Sequence, residues 1–90
     1  MTTEIVLAAL ETKQQWSPRS MKMAINAAIS RHRLNETYLG KILGIDESAI
    51  SRGLHWELDT LNIAYIAAAL GYEPRGSYAV VFVKRTEVAS

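Results

Sequence analysis

The stretch LNETYLGKILGIDESAISRGLH, residues 34–55, decides the fold of this chain. Asn35 can cap a first helix, because its side chain can accept a hydrogen bond from a free N–H of the first turn. Gly44 can end that helix, since glycine adopts the left-handed conformation at little cost. Asp46 can cap a second helix, which we expect to end near His55. From Asn35 to His55 the pattern predicts two short helices that cross steeply around a tight turn, a helix-turn-helix.

The apolar residues of this stretch fit that arrangement. Gly40 supplies a small residue at the point where the two helices should approach most closely. The expected buried contacts come from both helices and from the turn, and they are Leu39, Leu43, Ile45, Ile50 and Leu54. The second helix therefore keeps its other face free of packing.

That outer face is polar, and its side chains can enter a DNA major groove about 12 Å wide. The candidate base contacts are Glu47, Ser48, Ser51, Arg52 and His55. Arg52 is the strongest candidate, because a guanidinium group can bond O6 and N7 of guanine together. The alternatives for Arg52 are a phosphate contact or an ion pair with Glu36 or Glu47. For Glu47, a base contact and stabilisation of the helix start are both open.

The rest of the chain predicts three more helices. The first covers residues 3–15, and Trp16 behind it is expected to anchor it on the body of the protein. A second begins at Ser17-Pro18, a strong helix-start signal, and reaches about Arg31. Another is capped by Asp59 and stopped by Gly71. Residues 73–76 form a turn-like cluster, and Trp56 is expected to be a core or rim aromatic. The predicted fold class is mainly α, with five helices.

Residues 77–85, SYAVVFVKR, change to an extended pattern that is typical of a β-strand. A single strand would leave its backbone groups unpaired along an apolar edge. The simplest partner is the same strand of a second copy, which would give a symmetric dimer through Tyr78, Val80 and Phe82. The alternative is that the strand folds back on the helices or pairs with an irregular segment of its own chain.

Length and composition limit the function classes. Ninety residues are enough for one domain, 1–90, and the chain has no cysteine and no apolar run long enough for a bilayer. We therefore expect a cytoplasmic protein without membrane contact. Residues 13–55 hold seven basic and three acidic side chains, although the whole chain has a net charge of only +1. A basic centre between acidic ends favours a polyanionic partner.

An enzyme is not expected from this sequence. It has no Gly-rich phosphate loop and no nucleophile paired with a base, and Asp46 and Glu47 are adjacent rather than opposed across a site. We likewise predict no metal, no cofactor and no small-molecule substrate.

Residues 43–55 resemble the turn and recognition helix of lambda-type Cro, and residues 61–71 resemble the helix that follows in repressors of that group. The resemblance covers residues 34–71. It implies that Glu47, Ser48, Ser51 and Arg52 contact base edges, and that Thr37 and Lys41 contact phosphate. Arg33 and Asn35 are further candidate phosphate contacts. Two departures are the absence of a Gly-containing basic loop after His55 and the presence of Gly53 where a larger apolar residue is common.

These observations predict a sequence-specific transcriptional regulator that resembles the Cro and repressor proteins of phages and plasmids. We expect it to be a repressor that binds double-stranded DNA at a palindromic operator as a homodimer. The alternative is a protein-interaction module that uses the same helices without DNA, such as an antirepressor or an antitoxin-like adaptor.

Overall fold

The computed structural model describes residues 1–77 and 80–85, and within them the chain is mainly helical with a small antiparallel sheet. The five helices of this part are α1 (Thr2–Leu10), α2 (Pro18–Arg31), α3 (Glu36–Leu43), α4 (Glu47–His55) and α5 (Leu61–Ala69). The strands are β1 (Gln15–Trp16), β2 (Tyr72–Arg75) and β3 (Val81–Lys84). In residues 1–77 and 80–85 no helix combines the length and the apolar character needed to cross a membrane.

Capping residues predicted from the sequence begin α2, α3 and α4, and Gly44 ends α3 as predicted. The Ser17 side chain accepts a hydrogen bond from the Ser20 N–H at 3.1 Å, and the Asn35 side chain accepts one from the Tyr38 N–H at 3.0 Å. Gly44 follows α3 with a φ of +71°, the left-handed conformation that favours glycine. The three predicted helix boundaries are therefore confirmed.

The α3–α4 pair packs through a close contact at Gly40. A Cβ atom at this position would lie 2.9 Å from the Ile45 carbonyl oxygen and 3.1 Å from Cγ1 of Ile50. Both distances are too short for ordinary packing, so a residue without a side chain is required at Gly40, as the prediction of a close approach there implies. Of the apolar residues predicted to be buried, Leu39, Ile50 and Leu54 lie in the core, and Leu43 and Ile45 are half-buried against it.

Gly53 lies where α4 and α5 pack closely together. A Cβ atom on Gly53 would lie 2.6 Å from Cδ1 of Ile66 and 3.0 Å from the Asn62 carbonyl carbon. The missing side chain therefore allows α5 to cross α4 at close range. Packing against α5 offsets the roughly 1 kcal/mol that glycine costs inside a helix relative to alanine.

The first helix is shorter than predicted. It ends at Leu10 rather than near residue 15, and Gln15–Trp16 form strand β1 instead. Trp16 is buried, and its Nε1–H donates to the Leu10 carbonyl at 2.8 Å. The expectation that Trp16 anchors the first helix is confirmed, because this bond ties the end of α1 to the sheet.

The sheet overturns the prediction of one isolated strand. Its order is β1-β3-β2, and both neighbours of β3 run antiparallel to it within the same chain. The predicted turn at residues 73–76 mostly belongs to β2, where Pro74 lies opposite Phe82. Proline is tolerated there because β2 is an edge strand. Two short strands therefore cover the edges of β3, which needs no strand from a second copy.

The predicted dimer contacts change accordingly. Phe82 is 1% exposed and belongs to the hydrophobic core of its own chain, so its side chain is not available for the predicted dimer contact. Val80 lies before β3 and is exposed. Tyr78 falls outside the described residues. The described strand is also shorter than the predicted 77–85, since β3 begins at Val81 and ends at Lys84.

Candidate nucleic-acid interface

Helix α4 has two chemically different faces. Ile50, Gly53 and Leu54 are buried and hold the helix on the core. The five residues predicted to contact bases lie away from these three, four of them exposed and Ser51 half-buried; they are Glu47, Ser48, Ser51, Arg52 and His55. The structure therefore gathers all five on the free side of one helix.

The first turn of α4 is fixed by hydrogen bonds. The Ser48 hydroxyl donates to Oδ2 of Asp46 at 2.6 Å, and the Ser48 N–H donates to the same oxygen at 3.3 Å. These bonds lower the pKa of the Asp46 carboxyl below its ordinary value of 3.8, with the Ser48 hydroxyl as the largest cause. Asp46 is thus a helix cap, as predicted, and it holds the Ser48 hydroxyl at the start of the helix.

Two side-chain contacts join α3 to α4 across the outer face. Near the start of α4, the Thr37 hydroxyl donates to Oε1 of Glu47 at 2.9 Å. Near its end, Nε2 of His55 lies 2.8 Å from Oε2 of Glu36. Exposed pairs of this kind add little to stability, typically below about 1 kcal/mol. Their effect here is to engage both glutamates of the α3–α4 pair with neighbouring side chains.

Arg52 takes neither of the ion pairs considered for it. Its guanidinium lies over the ring of Trp56, 5.1 Å from the ring centroid, in cation–π geometry. Trp56 is 59% exposed and stands directly after α4, so it is not a core residue. The sequence-based candidates did not include Trp56 in the site, although it lies four residues after Arg52.

Two side chains of α2 form hydrogen bonds to backbone carbonyl groups at and after the C-terminal end of α4. Lys22 is only 6% exposed, and its Nζ donates to the carbonyl oxygens of Trp56 and Asp59. Asn26, one turn further along α2, donates through Nδ2 to the Leu54 carbonyl at 2.7 Å. Neither residue was a candidate from sequence, because their partners lie about thirty residues away and leave no local pattern.

The residues predicted to contact phosphate lie around this face, and some of their side chains are already hydrogen-bonded within the protein. Arg33 and Lys41 are exposed. Asn35 is exposed but uses its side-chain oxygen as the α3 cap, and Thr37 donates its hydroxyl to Glu47. Arg33 also has a φ of +52°, the left-handed region that side chains other than glycine rarely adopt. The cationic candidates of this surface are therefore Arg33, Lys41 and Arg52.

Comparison with protein-family models, with curated proteins and with solved structures gave no match for this chain.

Proposed function

We propose that this protein is a sequence-specific DNA-binding transcriptional regulator, a cytoplasmic repressor of the Cro type, and that it acts without catalysis. Residues 35–55 form its helix-turn-helix, with α4 as the helix that enters the major groove. Arg52, Ser48 and Ser51 contact base edges, whereas Arg33 and Lys41 contact phosphate.

The observation that carries this proposal is the free outer face of α4. The buried face fixes the helix on the core, and the outer side chains are short or capable of hydrogen bonding. The Glu47 carboxylate accepts from the Thr37 hydroxyl and Glu36 lies against His55, so neighbouring side chains other than Arg52 hold both glutamates. The exposed Arg33, Lys41 and Arg52 thus supply the positive charge that a DNA backbone attracts.

Binding to a palindromic site requires two copies, and we place their contact on α5. This helix contains no charged residue, and Leu61 and Tyr65 on its outer side are 64% and 56% exposed. An uncharged apolar face is compatible with its own copy, as a two-fold contact requires. This contact replaces the strand pairing that the sequence predicted.

The proposal is tested by selecting binding sites from a pool of random duplexes with the wild type, Arg52→Ala and Arg75→Ala, at low and moderate salt. The wild type should enrich a palindromic sequence. Arg52→Ala should lose preference at one base pair of each half-site, by roughly fivefold or more. Arg75→Ala removes an equal charge from β2 and should select the same sequence as the wild type. Failure of the wild type to bind any duplex at low salt would refute the proposal.

A protein-interaction module is the second candidate, and the apolar side of α5 favours it. Leu61 and Tyr65 on this side are 64% and 56% exposed, and an exposed apolar patch can mark a contact with another protein. This function predicts monomers that bind a different protein and have no affinity for DNA. The selection experiment separates the two candidates.

A further inference from the structure

We propose that Trp56 is a positioning residue for Arg52. Lys22 holds the backbone of Trp56, and the Trp56 ring orients the guanidinium edge of Arg52 toward the base pair that Arg52 contacts. The inference rests on the proposed function, because it names the support on which base recognition by α4 depends.

The first step concerns the backbone of Trp56. Its N–H donates to the Arg52 carbonyl at 3.0 Å, and its carbonyl oxygen accepts from the ammonium group of Lys22. Lys22 is nearly buried and also bonds the Asp59 carbonyl. Burial of an ammonium group is costly unless its hydrogens are bonded, so these carbonyl oxygens fix its position. The exposed indole of Trp56 therefore projects from a segment whose backbone is held on both sides.

The second step concerns the geometry of the stack. The guanidinium of Arg52 lies over the face of the Trp56 ring, 5.1 Å from its centroid. A planar guanidinium that lies over an aromatic ring can keep its N–H groups, which point outward in its own plane, free for hydrogen bonds. Those N–H groups are the ones that bond guanine O6 and N7. Stacking on Trp56 is thus compatible with a base contact by Arg52.

The third step concerns the competing carboxylates. Glu36 is bonded to His55, and Glu47 accepts from Thr37. Within residues 1–77 and 80–85, no carboxylate lies in ion-pair distance of Arg52. The aromatic ring is therefore the partner that restricts the long Arg52 side chain, and it does so without neutralising the charge. Restricting the side chain before binding lowers the entropy cost of the contact.

The consequence is specific to one base pair. Loss of the indole should weaken discrimination at the base pair contacted by Arg52 by about two- to fivefold, the effect of an exposed cation–π contact. The other base pairs of the site should keep their preference. A purely structural role of Trp56 would instead weaken binding equally at every position.

The test compares the wild type, Trp56→Ala, Trp56→Phe and Leu58→Ala on the selected duplex and on its single base-pair variants. Trp56→Ala should lose preference at the position that Arg52→Ala identifies, and Trp56→Phe should recover part of it because a phenyl ring also attracts the cation. Leu58 is 95% exposed in the same loop, so its truncation is the matched control and should change no preference. In an Arg52→Ala background, Trp56→Ala should have no further effect at that position.

Two outcomes separate this inference from the proposed function. If the wild type binds no duplex, the proposed function fails and the inference fails with it. If the wild type selects a sequence but Trp56→Ala keeps full preference at the Arg52 position, only the inference is overturned.

Acrylamide quenching tests the stack in the free protein. Trp16 is 5% exposed, so quenching of tryptophan emission reports chiefly on Trp56. Arg52→Ala uncovers one face of the indole and should raise the quenching constant, whereas Arg75→Ala, on β2, should leave it unchanged. An equal quenching constant in the wild type and Arg52→Ala would overturn the proposal.

Discussion

Arg33 holds an unusual backbone conformation at the end of α2. Its φ of +52° costs a non-glycine residue about 1 kcal/mol, although the Leu34 N–H still closes the helix end on the Ile29 carbonyl at 2.9 Å. Glycine would satisfy this turn without strain. The presence of arginine at a strained, exposed position is therefore in accord with a use for its charge.

We expect Arg33→Gly to raise the free energy of unfolding by about 1 kcal/mol while weakening DNA binding and lowering its salt dependence by about one phosphate contact. Urea denaturation and DNA titrations at several salt concentrations measure the two effects. Arg33→Ala is the control, because it removes the charge but keeps the strain and should weaken binding without the gain in stability. Unchanged DNA affinity in both variants would exclude Arg33 as a phosphate contact.

Gly53 gives a second prediction at the residue scale. Helix propensity alone would make Gly53→Ala stabilising by about 1 kcal/mol. The added Cβ would meet the α5 backbone near Asn62 as well as the Ile66 side chain. We therefore expect Gly53→Ala to lower the free energy of unfolding by about 1–3 kcal/mol, measured by thermal unfolding.

Gly44→Ala is the comparison for Gly53→Ala. Its Cβ would enter open space, and only the left-handed φ of +71° opposes it, at a cost of about 1 kcal/mol. A rise in melting temperature for Gly53→Ala would show that α4 and α5 are not packed this closely.

Two carboxylates accept hydrogen bonds from N–H groups at helix starts: Asp46 caps α4, and Asp59, which precedes the N-cap residue Thr60, bonds the first turn of α5. The pKa of Asp46 is lowered chiefly by the Ser48 hydroxyl, and that of Asp59 chiefly by the Asn62 N–H, which donates at 2.8 Å at the start of α5. A carboxyl with a lowered pKa in the folded state stabilises the fold above its ordinary pKa. That contribution is lost as the pH falls through the lowered value.

We therefore expect the melting temperature to fall as the pH is taken from 5 to about 2.5. Asp46→Asn with Asp59→Asn should reduce this dependence, since asparagine can cap a helix without titrating. Thermal unfolding followed by circular dichroism across this pH range measures it. An undiminished pH dependence in the double variant would mean that other carboxyl groups account for it.

The elements that the sequence predicts well are those with local signals. Asn35, Gly44 and Asp46 mark α3 and α4 because a cap acts within one helical turn. Strand β1 is only two residues long, and Pro74 in β2 looks like a turn residue; both segments are strands because β3 lies between them. The β1–β3 pairing joins residues nearly seventy positions apart, and neither β1 nor the Pro74 segment is long enough to display a strand periodicity of its own.

The candidate site likewise contains residues with a local sequence signal and residues without one. The outer face of α4 follows from helical spacing, so its five members could be named from sequence. The contact of Arg52 with Trp56 could also have been inferred from sequence, because residues four apart are neighbours on a helix. Trp56 lies beyond the predicted helix end at His55, so this spacing was not applied to it. The contacts of Lys22 with Trp56 and of Glu36 with His55 join distant positions, and only the packing of α2 and α3 against α4 creates them.

In the whole molecule, the outer side of α5 is an exposed surface without charged residues, and it is the proposed dimer contact. We expect Tyr65→Asp to place a charge in the proposed two-fold contact and to shift the protein from dimer to monomer. Binding to a palindromic site should weaken, whereas binding to a single half-site should not change. Sedimentation equilibrium measures the shift. Met23→Asp, at an equally exposed apolar position on α2, should leave the dimer intact. A dimer that survives Tyr65→Asp would place the contact elsewhere.

We propose that DNA contacts the free face of α4 and the basic residues around it. Backbone amide chemical shifts, followed during titration with a mixed-sequence duplex at low salt, test it most directly, because non-specific binding uses the same charged surface. We expect the largest chemical-shift changes between Arg33 and Trp56. Shifts confined to α5 and the sheet, or no shifts at all, would contradict it.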